Sequence, residues 1–346
     1  MWRYGASNNP AVDLACAQFA EARAFDPPAG SGCYQRTLAQ TGSTMPNSLV
    51  VNGDPAFEQQ VSYVPEAAAA DIFADTLSIA VGLIHSKDTE RAMDLGLRGK
   101  NIIMNGGAHG IGLATLKRFS AEGANVAFFS RDPSKVEVAK TAIEAAGDGS
   151  VFAEAFDMTN DPEGYKTWLG KARDELGGCD IFVHTASSSG QGATGDWQRG
   201  LDLDVMGAVN AVEVLTPALE ESDAGSIVFM SSTAALENFI VPQAFNALKA
   251  ALITYASQLG QALAPQGIRV NTVSPGAIYY PGGNWEMIKT NVQPLYEATL
   301  AQMPMGRFGN PEEVANAIVF VASRAVPYMT GTNVVVDGGF TKRVQF

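Results

Sequence analysis

Seven short apolar runs alternate with helical patterns between residues 99 and 346, and few folds accept that rhythm. The runs are 101–105, 125–129, 151–156, 180–184, 226–231, 268–273 and 333–336. Most lack the polar–apolar alternation of a sheet with one wet face. Both faces must then be covered, as in parallel strands flanked by helices. The intervening segments, 110–122, 133–146, 162–176, 198–220, 243–264, 285–302 and 311–322, read as helices. Pro311 followed by two glutamates is a good helix start. The expected fold class is α/β, a doubly wound parallel seven-stranded sheet over residues 99–346.

Residues 1–98 differ in character. Residues 11–24 and 65–85 have helical patterns, but Pro27, Pro28, Gly30, Gly32, Gly42, Pro46, Gly53 and Pro55 break the stretch between them. It contains no chemical motif and no internal repeat. The reading is an irregular, partly helical N-terminal extension of unknown role, packed on the main domain or on a neighbouring subunit.

The chain has 346 residues, 46% of them hydrophobic, enough for a large core in one or two domains. A formal net charge of −13 disfavours nucleic acid, which needs a basic face. Cys16, Cys33 and Cys179 are widely spaced, as are His85, His109 and His184, so neither a disulfide framework nor a metal site is expected. No basic stretch followed by an apolar run opens the chain, and no apolar stretch is long enough for a membrane span. The expectation is a soluble, cytoplasmic protein with no membrane partner.

The first run ends in Asn-Gly-Gly-Ala-His-Gly-Ile-Gly, residues 105–112, which opens the first helix. Gly106, Gly110 and Gly112 have the spacing of a turn that lets phosphate approach the backbone, with helix N–H groups as donors. His109 and Ile111 lie in the same turn. A tight strand–helix turn without ligand would also want these glycines. The second run ends in Ser130-Arg131, with no acid to accept a ribose 2′-hydroxyl. Arginine suits a 2′-phosphate, which favours NADP over NAD. Asp157 and Met158 follow the third run, where Asp157 either meets an adenine or caps the next helix.

Together these residues resemble the short-chain dehydrogenase/reductase family over residues 98–346. The glycine motif is similar to the family's, with Asn105 replacing a threonine. Ser232 in Met-Ser-Ser-Thr-Ala-Ala matches the catalytic serine, and Lys249 matches the lysine. Pro275-Gly276 matches the turn at the nicotinamide end, and Ile278 would face the carboxamide. The resemblance implies a Rossmann-type fold and hydride transfer between a nicotinamide and a carbonyl or alcohol. In that chemistry a tyrosine is the acid or base, lysine lowers its pKa and holds the ribose, and serine holds the substrate oxygen.

Three positions depart from the family pattern. Phe245 stands in place of the tyrosine, and Asp204 in place of an asparagine that anchors a water. His184-Thr185-Ala186-Ser187 replaces Asn-Asn-Ala-Gly, a change expected to weaken local backbone support while leaving Ala186 against the cofactor. Asp204 either keeps the water relay or pairs with Lys249. Phenylalanine cannot transfer a proton, and losing a positioned acid costs on the order of 10²–10⁴ in rate. Four readings of Phe245 stay open: an inactivating substitution, another proton donor such as Tyr279 or Tyr280, non-redox chemistry, or an NADP-binding pseudoenzyme or sensor.

The substrate loop is expected from Pro275 to about residue 305, where Tyr279, Tyr280, Pro281, Trp285, Met287 and Tyr296 suit a hydrophobic or ring-bearing small molecule. Half of these would simply pack the loop. Residues 187–196 would form a polar second rim. The resemblance also implies a homodimer or homotetramer through the helices at 198–220 and 243–264.

Overall fold

The computed structural model describes residues 93–344 apart from 160, 189–194 and 239–241. The patterns at 11–24 and 65–85, and most of the polar rim at 187–196, lie outside the described residues.

The strands are β1 (Asn101–Asn105), β2 (Asn125–Ser130), β3 (Val151–Ala155), β4 (Ile181–His184), β5 (Ser226–Met230), β6 (Arg269–Pro275) and β7 (Asn333–Val336). All pair in parallel, in the order β3-β2-β1-β4-β5-β6-β7. The helices are α1 (Gly110–Ala121), α2 (Pro133–Glu144), α3 (Pro162–Leu176), α4 (Trp197–Gly200), α5 (Gly207–Glu221), α6 (Ala244–Leu263), α7 (Asn284–Asn291), α8 (Gln293–Leu300) and α9 (Pro311–Ala322).

Side chains alternate across a strand, so each run supplies two cores. Ile103, Phe129, Phe182, Ile227, Phe229 and Val270 face α3, α5 and α6. Ile102, Met104, Val126, Phe128, Val183, Val228 and Val273 face α1, α2 and α9. Leu95 and Leu97 join the second core. Fully burying one such aliphatic side chain contributes roughly 1.5–3 kcal/mol. The double cover explains why these runs show so little polar alternation. The order of strands switches between β1 and β4, successive strands being added to opposite sides, so a crevice opens at their carboxyl ends.

Three details differ from the sequence expectation. The helix expected at 285–302 is two helices, α7 and α8, with Val292 outside the helical region between them (φ −140°, ψ 53°). Pro294 has no N–H to continue the first helix. The helix expected at 198–220 contains a six-residue π segment, Leu201–Met206, between α4 and α5. Such segments often mark functional sites. Asp157 does not cap α3. Asp161 does so, accepting from the Gly164 N–H at 2.8 Å. The start at Pro311 is a capping box in which Asn310 and Glu313 satisfy each other's backbone N–H groups.

Candidate active site

The crevice begins at the turn after β1. Gly106 and Gly110 have φ of +74° and +54°, a region that side chains rarely adopt. His109 is exposed, is the N-cap of α1, and makes no side-chain cap hydrogen bond. The first N–H groups of α1 therefore keep no side-chain acceptor from the cap, which suits an anionic ligand. Ser130 ends β2 and Arg131 follows it, exposed and without an ion pair among the described residues. Asp132 does not neutralise Arg131, because its carboxylate caps α2, accepting from Ser134 and Lys135. Asp157 is exposed and accepts from the Thr159 N–H at 3.0 Å. The Met158 side chain is committed to the core.

Across the crevice, the tail of β4 is rebuilt around Asn105. Its amide oxygen accepts from the Thr185 N–H (2.8 Å) and the Ala186 N–H (3.1 Å). The Thr185 hydroxyl donates to the Asn105 carbonyl at 2.6 Å. The backbone support expected to be weakened by His184-Thr185 is thus restored from β1. The Asn105 amide nitrogen donates to the Tyr165 hydroxyl (2.9 Å) and to His184 Nδ1 (2.6 Å). That leaves His184 Nε2 as the N–H donor to the Asp204 carbonyl, 3.0 Å away. All of the set but Ala186 is buried. Sequence reasoning missed Asn105. The signal was a polar residue ending an otherwise apolar strand.

Burial, and then the Lys249 charge, push the His184 pKa down to about 3. An unfolded histidine titrates near 6.5. Neutral His184 therefore contributes stability that is full above about pH 6.5 and falls as pH drops toward 3, by up to about 1.4 kcal/mol per pH unit. Urea unfolding at pH 7.5 and 5.5 checks this. His184→Gln should lose less stability than the parent between those values, and equal losses would refute the assignment.

The π segment carries Asp204 to the centre of the site. Gly207, just beyond it, has no side chain, and a Cβ there would lie 2.5 Å from Met158 Cε and 3.2 Å from His184 Cε1. That gap lets the segment close onto β4. Asp204 is fully buried and pairs with buried Lys249 at 2.9 Å. The Ser188 N–H (3.1 Å) and hydroxyl also donate to its carboxylate. Burial alone would raise the Asp204 pKa, but Lys249 and Ser188 together hold it below the usual carboxylate range. Lys249 also donates to the Met230 carbonyl at 2.9 Å. Of the two sequence alternatives for Asp204, the pairing is the one found.

Phe245 lies one turn before Lys249 on α6, and the ammonium sits 5.7 Å from its ring centre. Ser232 is half-buried at the end of β5, where its hydroxyl caps a short 3₁₀ turn by accepting from the Ala234 N–H. Pro275 ends β6, and the Gly276 N–H binds the Val336 carbonyl. Ile278 bridges to Gly309 through the groups on either side of it: the Ala277 carbonyl accepts from Gly309, and the Tyr279 N–H donates to Gly309. The Ile278 N–H and carbonyl consequently point away from that bridge.

Tyr279 and Tyr280 part company. Tyr279 joins a small apolar cluster with Trp285, Ile288, Tyr296 and Phe308. Trp285 stacks on Phe308 at 4.8 Å, and Lys289 lies over the Tyr279 and Tyr296 rings. Met287 is exposed. Much of the expected aromatic lining therefore packs α7 and α8. Tyr280 instead packs toward the second core and the His109 ring, away from Tyr279 and Trp285.

Among the described residues there is no cluster of metal-ligating groups, and no helix is long and apolar enough to cross a membrane.

Residues 106–341 match a family model described as enoyl-(acyl carrier protein) reductase. The chain is 35% identical over 254 residues to isoepoxydon dehydrogenase patN of Aspergillus clavatus, covering 72% of this chain and 98% of that protein. It is similar to L-sorbose reductase from Gluconobacter frateurii, solved with NADPH and L-sorbose, with a TM-score of 0.65 and 30% identity over 73% of this chain and all of that one. A short-chain dehydrogenase/reductase from Burkholderia xenovorans has a TM-score of 0.65 and 29% identity, covering 72% of this chain and 99% of that one. With the glycine turn, the seven-stranded parallel order and these matches in agreement, the chain belongs to the short-chain dehydrogenase/reductase family.

Proposed function

We propose that the chain is an NADP-dependent oxidoreductase acting on a hydrophobic carbonyl or alcohol, with an incomplete proton donor at Phe245. The observation that carries this reading is the glycine-lined start of α1 at the sheet's switch point, which has no side-chain cap, with Arg131, free of ion pairs among the described residues, at the end of the neighbouring strand. The NADPH in the L-sorbose reductase structure supports the same cofactor.

The residues fit a dinucleotide from end to end. Gly106, Gly110, Ile111 and Gly112 would carry the pyrophosphate, with His109 at the edge. Ser130 and Arg131 would meet the 2′-phosphate, and Asp157 with the Met158 backbone the adenine. Ala186 and Lys249 would flank the nicotinamide ribose. Pro275, Gly276 and the free backbone groups of Ile278 would hold the carboxamide. A bound nicotinamide supplies or accepts the hydride. Ser232 would hydrogen-bond the substrate oxygen, and Tyr279 would line its approach. Phe245 excludes water there and moves no proton.

A second reading is an NADP-binding pseudoenzyme or sensor. It is favoured by the committed state of Lys249, whose charge is matched by Asp204 and whose ammonium also binds Met230. Assembly as a homodimer or homotetramer through α5 and α6 is compatible with either reading.

Fluorescence titration separates the possibilities. The full chain should bind NADPH more tightly than NADH. Arg131→Ala should weaken NADPH roughly tenfold and leave NADH nearly unchanged, because a charge-assisted contact to one phosphate is lost. Binding of neither nucleotide would end both readings. NADPH binding without turnover on a broad carbonyl panel would leave the sensor.

A further inference from the structure

The chain leaves the edge of the sheet at the carboxyl end of β7 and turns back as a strap, residues 337–343. Gly338 and Gly339, with φ of +63° and +80°, make the turn. A Cβ at Gly338 would lie 3.3 Å from Met305 Sδ, and one at Gly339 would lie 3.6 Å from Pro304 Cγ, so the turn follows that loop closely. Asp337 holds its shape. The carboxylate accepts from the Gly339 N–H (2.9 Å), the Thr341 N–H (2.8 Å) and the Thr341 hydroxyl (2.7 Å).

Two contacts tie the strap to different walls of the crevice. Phe340 packs against the apolar cluster of Ala277, Trp285, Ile288, Met303 and Phe308 that holds α7 and α8. Beyond it, the backbone N–H groups of Lys342 (2.6 Å) and Arg343 (3.1 Å) both donate to Glu237 Oε1. Glu237 is half-buried in the turn that begins at Ser232, its own N–H bound to the Thr233 carbonyl. The sheet order is β5-β6-β7, with neighbouring strands about 4.8 Å apart. A strap that starts above β7 and finishes beside the turn after β5 must cross the Pro275–Gly276 end of β6. Gly276 leaves room for it, since a Cβ there would lie 2.7 Å from Asp337 Cβ.

The α7–α8 segment needs such a tie. Gly309 bonds both Ala277 and Tyr279, so residues 279–308 form a cap whose two ends meet. The cap's cluster is separate from the two cores of the sheet. An excursion with its own small core opens at lower free energy than the strands beside it.

We propose that Glu237 is a positioning residue for this cap: by gripping two successive N–H groups of the strap, it latches α7 and α8, through Phe340, to the turn that carries Ser232. The latch stands on these contacts, and its effect on substrate rests on the oxidoreductase reading above. A carboxylate accepting from backbone N–H groups makes charge-assisted hydrogen bonds, the stronger kind.

Amide hydrogen exchange of the full chain, read by mass spectrometry, tests the latch. Glu237→Ala should speed exchange over residues 284–303 roughly tenfold, the loss of a charge-assisted hydrogen bond, and leave β1, β4 and β5 unchanged. Glu237→Gln keeps an acceptor oxygen and should fall between the parent and Glu237→Ala. Phe340→Ala should speed the same peptides. Combined with Glu237→Ala it should give less than the product of the two effects, because both act through one strap. Unchanged exchange in Glu237→Ala would overturn the proposal. So would faster exchange throughout the sheet, or two effects that multiply. In the Phe245→Tyr background, Glu237→Ala should raise KM for a hydrophobic ketone several-fold and leave kcat unchanged. An unchanged KM would overturn the latch's part in substrate binding. If Phe245→Tyr itself turns over nothing, the oxidoreductase reading fails, and the exchange pattern still decides the latch.

Discussion

Phe245→Tyr is expected to raise NADPH-dependent carbonyl reduction at least about tenfold, measured as kcat/KM on a panel of hydrophobic ketones and aldehydes. A positioned acid supplies on the order of 10²–10⁴. The gain should sit at the lower end because of the neighbour. A phenol is made a better acid by an unmatched positive charge, and the charge of Lys249 is matched by Asp204 at 2.9 Å. Asp204→Asn in the Phe245→Tyr background removes that match and should add a further gain. If neither variant gains on any substrate while both still bind NADPH, the oxidoreductase reading gives way to the sensor or to non-redox chemistry.

Breaking the Asp204–Lys249 pair is expected to be among the most damaging single changes in the domain. Lys249→Met or Asp204→Ala should each cost roughly 3–5 kcal/mol, because each leaves a lone charge in a dry interior. At about 2–4 °C per kcal/mol for a domain of this size, the thermal midpoint should fall by roughly 10 °C or more. The double change Lys249→Met, Asp204→Leu removes both charges and should recover much of the loss. Urea unfolding of all four proteins decides it. Singles within about 1 kcal/mol of the parent would mean that water reaches the pair. The pair also has an acid limit. The depressed pKa of Asp204 means its contribution is present above about pH 4, where an unfolded aspartate ionises, and is lost as pH falls through the lower folded value.

Much of this architecture could be read from the chain because hydrophobic burial leaves a local trace. Uniformly apolar runs marked strands covered on both faces, and the glycine spacing at 106–112 marked the turn. The surroundings of Lys249 were harder. That Asp204 would meet Lys249 was one of two options, and only the inward set of the π segment decides it. A π segment follows from how a helix must seat against its neighbours, which no short window of sequence reports. The break between α7 and α8 was missed in the single helix read over 285–302, although Pro294 is the residue that signals it. The parting of Tyr279 and Tyr280 was also legible in principle. Consecutive residues of an extended chain point to opposite sides. Only one of the two could join Trp285, and the other was free to reach the glycines.

Asn105 constrains how this chain can drift. One side chain serves four partners on β4, the loop after it and α3: the Thr185 and Ala186 N–H groups, His184 Nδ1 and the Tyr165 hydroxyl. Any single replacement strands several of them at once, and a change at His184 in turn undoes the hold on the Asp204 backbone. The neighbourhood can therefore evolve only in concerted steps. A phenol introduced at 245 would therefore enter a neighbourhood whose polar groups are already committed to one another.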